Sequence, residues 1–219
     1  MNKYKIAIFD MDGTILNTLE DLWICTNYAL SCYDMPERTL EEVRQFVGNG
    51  IAKLIERATP EGTTEELREQ VLDTFKTYYK DHCADKTCPY EGIREVIKEL
   101  RNQGVMTAVV SNKADFAVQN LCRDYFPGLF DEAVGEREGI RRKPAPDSVL
   151  SILQKHNLAR EDAVYIGDSD VDLATSQNAG IDVIMVGWGF RDEAFILSKG
   201  APFVIHNPKE ICERVLNRM

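Results

Sequence analysis

Short apolar runs that alternate with amphipathic helical segments restrict this chain most. The runs are Ile6-Ala7-Ile8-Phe9, Met106-Thr107-Ala108-Val109-Val110, Val164-Tyr165-Ile166 and Val183-Ile184-Met185-Val186. Between and after the later ones, helical spacing predicts helices over 93–102, 114–123, 147–156, 172–179 and 208–216. A short strand is expected around 130–134. Another, Phe203-Val204-Ile205, is entered through Pro202 and suits a sheet edge. Strands alternating with helices imply an α/β fold, a Rossmann-like parallel sheet covered on both faces.

One long interruption breaks that alternation. From residue 16 to about 86 the apolar residues fall at helical spacing four times: Leu19 to Tyr33, Leu40 to Val47, Ile51 to Ala58 and Leu67 to Tyr79. Thr39-x-x-Glu42 and Thr63-x-x-Glu66 read as capping boxes for the second and fourth. Four such helices can form a small bundle of their own. The expected organisation is therefore a core domain from 1–15 and 87–219, with a helical domain, 16–86, inserted after the first strand.

Composition narrows the function classes. With 44% hydrophobic and 28% charged residues, the 219-residue chain suits a globular protein with a sizeable core. No apolar run approaches the roughly 20 residues that a membrane span needs. The amino terminus enters a strand without the features of a secretory signal, so a cytoplasmic location is expected. Six scattered cysteines without a C-x-x-C pair then point to free thiols rather than disulfides or zinc. The net charge of -10 opposes nucleic acid and anionic membranes as partners. It does not oppose a small phosphorylated metabolite held in a locally positive cleft.

In open α/β sheets ligands bind beyond the carboxyl ends of the strands, and there the polar residues gather. The first strand runs into Asp10-Met11-Asp12-Gly13-Thr14. Two carboxylates this close call for a cation, a shared proton or a reacting electrophile, unless they simply face water. The second long strand leads to Ser111-Asn112-Lys113, a source of hydroxyl, amide and backbone donors for an anion, or an ordinary helix cap. Val164 to Ile166 leads to Gly167-Asp168-Ser169-Asp170-Val171-Asp172, where Gly167 is expected to allow a tight exit and Asp168 adds a third carboxylate. Lys143 is the cationic counterpart, presented by the stiff segment Lys143-Pro144-Ala145-Pro146. A phosphate group carries about -1.5 to -2 charges, and a unit-charge pair at about 4 Å is worth roughly 4 kcal/mol at an effective dielectric near 20. One lysine cannot offset the carboxylates and that anion together. A divalent ion can, and Mg²⁺ suits carboxylate, water and phosphate oxygen.

These four segments, in this order, resemble the haloacid dehalogenase superfamily, whose phosphatases carry D-x-D-G-T, a Ser or Thr, a Lys and G-D-x-x-x-D. The inserted helices occupy the position of that family's helical cap. The chain is most similar to the phosphoglycolate phosphatase family through Phe9 to Leu16, Val47-Gly48-Asn49-Gly50, Lys143-Pro144 and Trp188-Gly189-Phe190-Arg191. The resemblance implies a Mg²⁺-dependent phosphatase of small phosphate monoesters, with 2-phosphoglycolate the leading substrate. Asp10 would be the nucleophile that forms an aspartyl phosphate and Asp12 the general acid and base. Ser111, Asn112 and Lys143 would hold the phosphoryl group, with backbone N–H groups of Gly13 and Thr14 available to it. Asp10, the Asp12 carbonyl and Asp168 would ligate Mg²⁺, and Asp172 would orient that set. The cap would exclude water and select the leaving group, with Asn49 in its Gly48-Asn49-Gly50 loop the candidate contact; a plain helix connection explains that loop equally well. Lys53 is read as solvated, since relatives that use a cap lysine lack the second aspartate that Asp12 provides. His82, His156 and His206 lie outside all four motifs. The alternatives are a sugar phosphomutase of the beta-phosphoglucomutase type, a phosphoacceptor switch of the receiver class, and an inactive binding homologue.

Overall fold

The computed structural model describes residues 3–216. In chain order the elements are β1 (Ile6–Phe9), β2 (Leu16–Asn17), α1 (Leu19–Ser31), α2 (Leu40–Phe46), α3 (Ile51–Ala58), α4 (Glu65–His82), β3 (Cys88–Pro89), α5 (Ile93–Asn102), β4 (Met106–Ala114), α6 (Asp115–Tyr125), β5 (Glu132–Glu136), α7 (Asp147–Lys155), β6 (Ala163–Gly167), α8 (Asp170–Ala179), β7 (Asp182–Val186), α9 (Glu193–Ser198), β8 (Val204–Ile205) and α10 (Lys209–Leu216). They form two compact units. One is built from the chain up to Leu16 and from Pro89 onward, the other from Asn17–Cys88. Where the chain passes between them, β2 and β3 pair as a two-stranded ribbon.

The first unit is an α/β domain around a six-stranded sheet in the order β5-β4-β1-β6-β7-β8, every described pairing parallel. β1 is central because all four of its residues are apolar and fully buried, so it is covered on both faces. Alternation along the strands separates two cores. Ala7, Phe9, Val109, Val164 and Ile166 face one, which includes α5 and α10 residues such as Ile97, Leu100 and Ile211. Ile6, Ile8, Ala108, Val110 and Tyr165 face the other, with Val149, Ile152 and Leu153 of α7. Each fully buried Ile, Leu, Val or Phe contributes about 1.5–3 kcal/mol by leaving water.

One strand departs from expectation in a way that shapes the site. β4 does not stop at Val110 but continues to Ala114, with a register shift between Val110 and Ala114 in its pairing to β5. Its pairing with β1 ends at Val109, opposite Phe9. Ser111, Asn112 and Lys113 are therefore held within a strand and are buried, rather than capping the following helix. The α6 N-cap is Ala114, which makes no side-chain cap bond.

In the helical unit, α1 buries Leu22, Cys25, Ala29 and Leu30, α3 buries Leu54, Ile55 and Ala58, and α4 buries Val71, Phe75 and Tyr79. Thr39 and Glu42 form the expected capping box on α2, a feature worth about 1 kcal/mol. The cap of α4 is Thr64, not Thr63: the Thr64 hydroxyl accepts from Leu67 N–H, while that of Thr63 donates to the Pro60 carbonyl and is engaged in the preceding turn. Asp21 is a buried charge on α1. Its carboxylate accepts from Lys86 N–H, Thr87 N–H and the Thr87 hydroxyl, and so ties the start of the bundle to its end. Among the described residues no helix is long and apolar enough to cross a membrane. Among the described residues no disulfide joins the cysteines.

Candidate active site

The carboxyl ends of β1, β4 and β6 converge with the 143–146 loop to form one polar cluster in the α/β unit. Asp10 follows β1, its N–H bonded to the Ile166 carbonyl, so the sheet itself fixes where its side chain begins. Gly13, at φ 85°, makes the turn that follows, and a Cβ there would lie 2.5 Å from Asp168 Oδ2. The loop is braced from within: Gly13 N–H donates to Leu16 O and Thr14 N–H to Met11 O. These two donors are thus engaged, contrary to the expectation that they would be available to a phosphate. The N–H groups of Met11 and Asp12 have no acceptor among the described residues.

Lys143 organises the cluster. Its side chain is 4% exposed, and its Nζ lies 2.9 Å from Asp10 Oδ1, 2.7 Å from Asp172 Oδ1 and 2.9 Å from Tyr165 Oη. Asn112 places the loop that carries it, donating from Nδ2 to the Lys143 carbonyl at 3.0 Å. The Asn112 side chain therefore holds the lysine backbone where the resemblance implies a phosphate contact. Ser111 is buried, with its hydroxyl accepting from Lys113 N–H at 3.3 Å. Arg141 and Arg142 point elsewhere, to Asp147 and Glu136.

Asp168 and Asp172 differ in how they are held. Asp168 accepts from the Thr14 hydroxyl on Oδ1 at 3.2 Å and from Phe190 N–H on Oδ2 at 2.7 Å. Asp172 is more fully engaged: Oδ2 takes Asp168 N–H, Ser169 N–H and the Ser169 hydroxyl, and Oδ1 takes Lys143. Gly167 does not adopt a positive φ, so the tight-exit reading is replaced by a steric one. A Cβ at 167 would sit 2.4 Å from Asp172 Cβ. Gly189 gives Asp168 the same clearance, since a Cβ there would lie 2.2 Å from Asp168 Cβ. The Trp188-to-Arg191 segment is accordingly scaffolding for the cluster: Trp188 Nε1 donates to Thr14 O at 3.1 Å, Phe190 N–H holds Asp168, and Arg191 meets Asp170 at 3.5 Å.

Electrostatics sets this cluster apart. Asp10, Asp12, Asp168 and Asp172 bring four carboxylates against two ammonium groups, Lys143 and Lys113. Burial, reinforced by Asp172, pushes Asp10 up to about 7 despite Lys143, and burial with Asp172 and Asp10 pushes Asp168 up to about 8. Oxygens of Asp10, Asp168 and Asp172 lie within 4.8 Å of one another. Asp10 Oδ1 is a buried oxygen that meets Lys143 as an ion pair but accepts no hydrogen bond of good geometry among the described residues. Hard oxygen donors, an under-satisfied buried carboxylate and carboxylates that outnumber the ammonium groups fit a divalent cation of the Mg²⁺ type.

Two participants were not legible as site residues in the sequence. Lys113, its side chain 2% exposed, pairs with Asp12 Oδ1 at 2.9 Å, whereas the sequence marks only its backbone as a donor. Tyr165 reads as an ordinary strand residue, yet its hydroxyl reaches Lys143 and donates to Val110 O at 2.8 Å. Asn49 belongs to the helical unit, where its Oδ1 accepts from Arg57 at 2.9 Å. Lys53, also there, is half-buried and pairs with Glu56. The histidines pair with Asp85, Glu132 and Glu193, none of them cluster residues.

Comparison with known proteins agrees with this geometry. Residues 7–186 match the family model described as haloacid dehalogenase-like hydrolase. The chain is 29% identical over 198 residues to the phosphoglycolate phosphatase of Mannheimia succiniciproducens, covering 87% of this chain and 88% of that one. A solved structure from Lactobacillus delbrueckii subsp. bulgaricus, provisionally named a phosphoglycolate phosphatase, is 40% identical and superposes with a TM-score of 0.94 over 99% of this chain and 100% of that one. A Bacteroides vulgatus protein provisionally named a beta-phosphoglucomutase shares the fold, at 21% identity and a TM-score of 0.77 over 99% of this chain and 91% of that one. A match that spans both β1 and β7, and so takes in every strand end that contributes to the cluster, places the chain in the haloacid dehalogenase-like hydrolase family.

Proposed function

We propose that this protein is a Mg²⁺-dependent phosphatase of small phosphate monoesters that works through an aspartyl phosphate on Asp10, with 2-phosphoglycolate as the leading substrate. The observation that carries this reading is Asp10 itself: a buried carboxylate whose Oδ1 lacks a hydrogen-bond donor among the described residues and faces a buried ammonium. A carboxylate so placed is a competent nucleophile toward phosphorus. As the bond from Asp10 oxygen to phosphorus forms, the ester P–O bond breaks and Asp12 gives its proton to the leaving oxygen. Asp12 then takes a proton from the water that attacks phosphorus, the Asp10–phosphorus bond breaks, and inorganic phosphate leaves.

The other residues supply preorganised charge. Lys143, the Ser111 hydroxyl and the N–H groups of Met11 and Asp12 hold the phosphoryl oxygens, while Asn112 fixes Lys143 from behind. Asp10, Asp168 and the Asp12 carbonyl would hold Mg²⁺, with Asp172 orienting Lys143 and the Asp168 backbone. A bound Mg²⁺ would neutralise charge at the phosphoryl group and polarise it. The phosphoglycolate phosphatases among the relatives support the choice of substrate.

A panel of phosphorylated metabolites assayed for phosphate release at one Mg²⁺ concentration tests the proposal, with 2-phosphoglycolate expected to lead. Accumulation of an isomerised sugar phosphate in place of inorganic phosphate would assign a phosphomutase instead. The metal has a readout independent of turnover. Saturating Mg²⁺ at about 100 times its Kd should raise folding stability by about 2.7 kcal/mol, and Asp168→Asn should remove that gain.

A further inference from the structure

We infer that the Tyr165 hydroxyl is a positioning group for Lys143, setting the direction in which the lysine presents its ammonium to the phosphoryl group. An ammonium has three protons to place. Two of them have acceptors here, Asp172 Oδ1 at 2.7 Å and Tyr165 Oη at 2.9 Å, and Asp10 Oδ1 stands 2.9 Å away as an ion-pair partner. Asp172 fixes one direction, since its other oxygen is held by Asp168 N–H, Ser169 N–H and the Ser169 hydroxyl. The phenol fixes the second: Tyr165 is fully buried in the sheet, and its own proton goes to Val110 O at 2.8 Å. With that proton committed, the oxygen can only accept from Lys143.

The arrangement references both ends of Lys143 to one strand. Asn112 Nδ2 holds its carbonyl, and the Tyr165 hydroxyl links its ammonium to Val110. Both Val110 and Asn112 flank Ser111 on β4. The spacing between Ser111 and Lys143, which grip the phosphoryl group from different elements, is thereby fixed by a hydrogen-bonded bracket. Misplacement of a catalytic group by about 1 Å can cost on the order of 10²-fold in rate.

The inference rests on the reading of Lys143 as a phosphoryl-holding group, and the experiment separates the two. Tyr165→Phe, Lys143→Met and the double variant are assayed on an aryl phosphate, with the melting temperature of each recorded. Tyr165→Phe is expected to lower kcat by roughly 10-fold while KM changes less than about 2-fold, because the loss falls on the transition state. The double variant should be no slower than Lys143→Met, since the hydroxyl acts only through the lysine. Independent losses in the double variant, or a Tyr165→Phe rate equal to that of the native enzyme, would overturn the inference while leaving the phosphatase reading intact. A native rate in Lys143→Met would instead remove the reading on which it rests. One measurement does not depend on turnover: the ¹⁵N–¹H ammonium resonance of Lys143 should shift or broaden in Tyr165→Phe, and an unchanged resonance would reject the positioning role.

Discussion

Each unit of this protein buries a carboxylate near the start of its chain segment, and the two are treated in opposite ways. Asp21, in the helical unit, is 1% exposed and surrounded by donors from Lys86 and Thr87. Asp10, in the α/β unit, is 7% exposed, shares its pocket with other carboxylates, and has an oxygen with no hydrogen-bond donor. A buried charge fully met by fixed donors is a fastening. A buried charge left short by the fold is held ready for something that arrives later, a cation or an electrophile. Burial alone does not distinguish a structural from a functional aspartate; the completeness of its donor set does.

Substitution should split the two along that line. The largest effect is expected for Asp10→Asn, which should lower phosphate release by more than roughly 10³-fold while the metal-free melting temperature stays level or rises, because a charge disfavoured by burial has been removed. Lys143→Met should follow, with a fall on the order of 10²-fold in kcat as a phosphoryl-holding charge is lost. Asp21→Ala should act on stability instead. Its loss strands the Thr87 and Lys86 donors and should cost about 2–3 kcal/mol in a denaturant titration, with kcat per folded molecule within about 2-fold of native. Smallest of all is Lys53→Ala. A half-buried lysine paired to a neighbouring, exposed glutamate is worth under about 1 kcal/mol, and steady-state assays should find kcat and KM within about 2-fold. A large loss of activity in Lys53→Ala, or a large loss of stability in Asp10→Asn, would erase the distinction.

Much of this was legible from residue order because each piece is local. Short apolar runs marked β1, β4, β6 and β7, helical spacing marked the inserted bundle, and three of the four polar segments fell where the strands deliver them, with Lys143 on the loop before α7. Local signals also misled. Ser111 to Lys113 reads as a helix entrance, yet the register shift against β5 keeps it in the strand. Thr63-x-x-Glu66 reads as the cap, yet the turn at Pro60 engages the Thr63 hydroxyl and Thr64 caps the helix. α9 leaves little trace in the sequence because six residues make fewer than two helical turns and so show little periodicity.

What could not be read is long-range pairing. Lys113 and Asp12 are 101 residues apart, and only the β1–β4 pairing makes them neighbours. Tyr165 looked like core because it is core; its hydroxyl became part of the site when Lys143 and Val110 arrived from other elements. Gly167 and Gly189 are required by the approach of Asp172 and Asp168, contacts to which chain order gives no clue.

The central claim is that Asp10 becomes covalently phosphorylated. Rapid acid quenching of the enzyme with a phosphate monoester, followed by peptide mass spectrometry, tests it directly. The account predicts one added phosphoryl group on the peptide that contains Asp10, localised to that residue and absent from Asp10→Asn. A phosphoryl group on Ser111 or Asp12, or rapid turnover with no covalent species at any quench time, would contradict it.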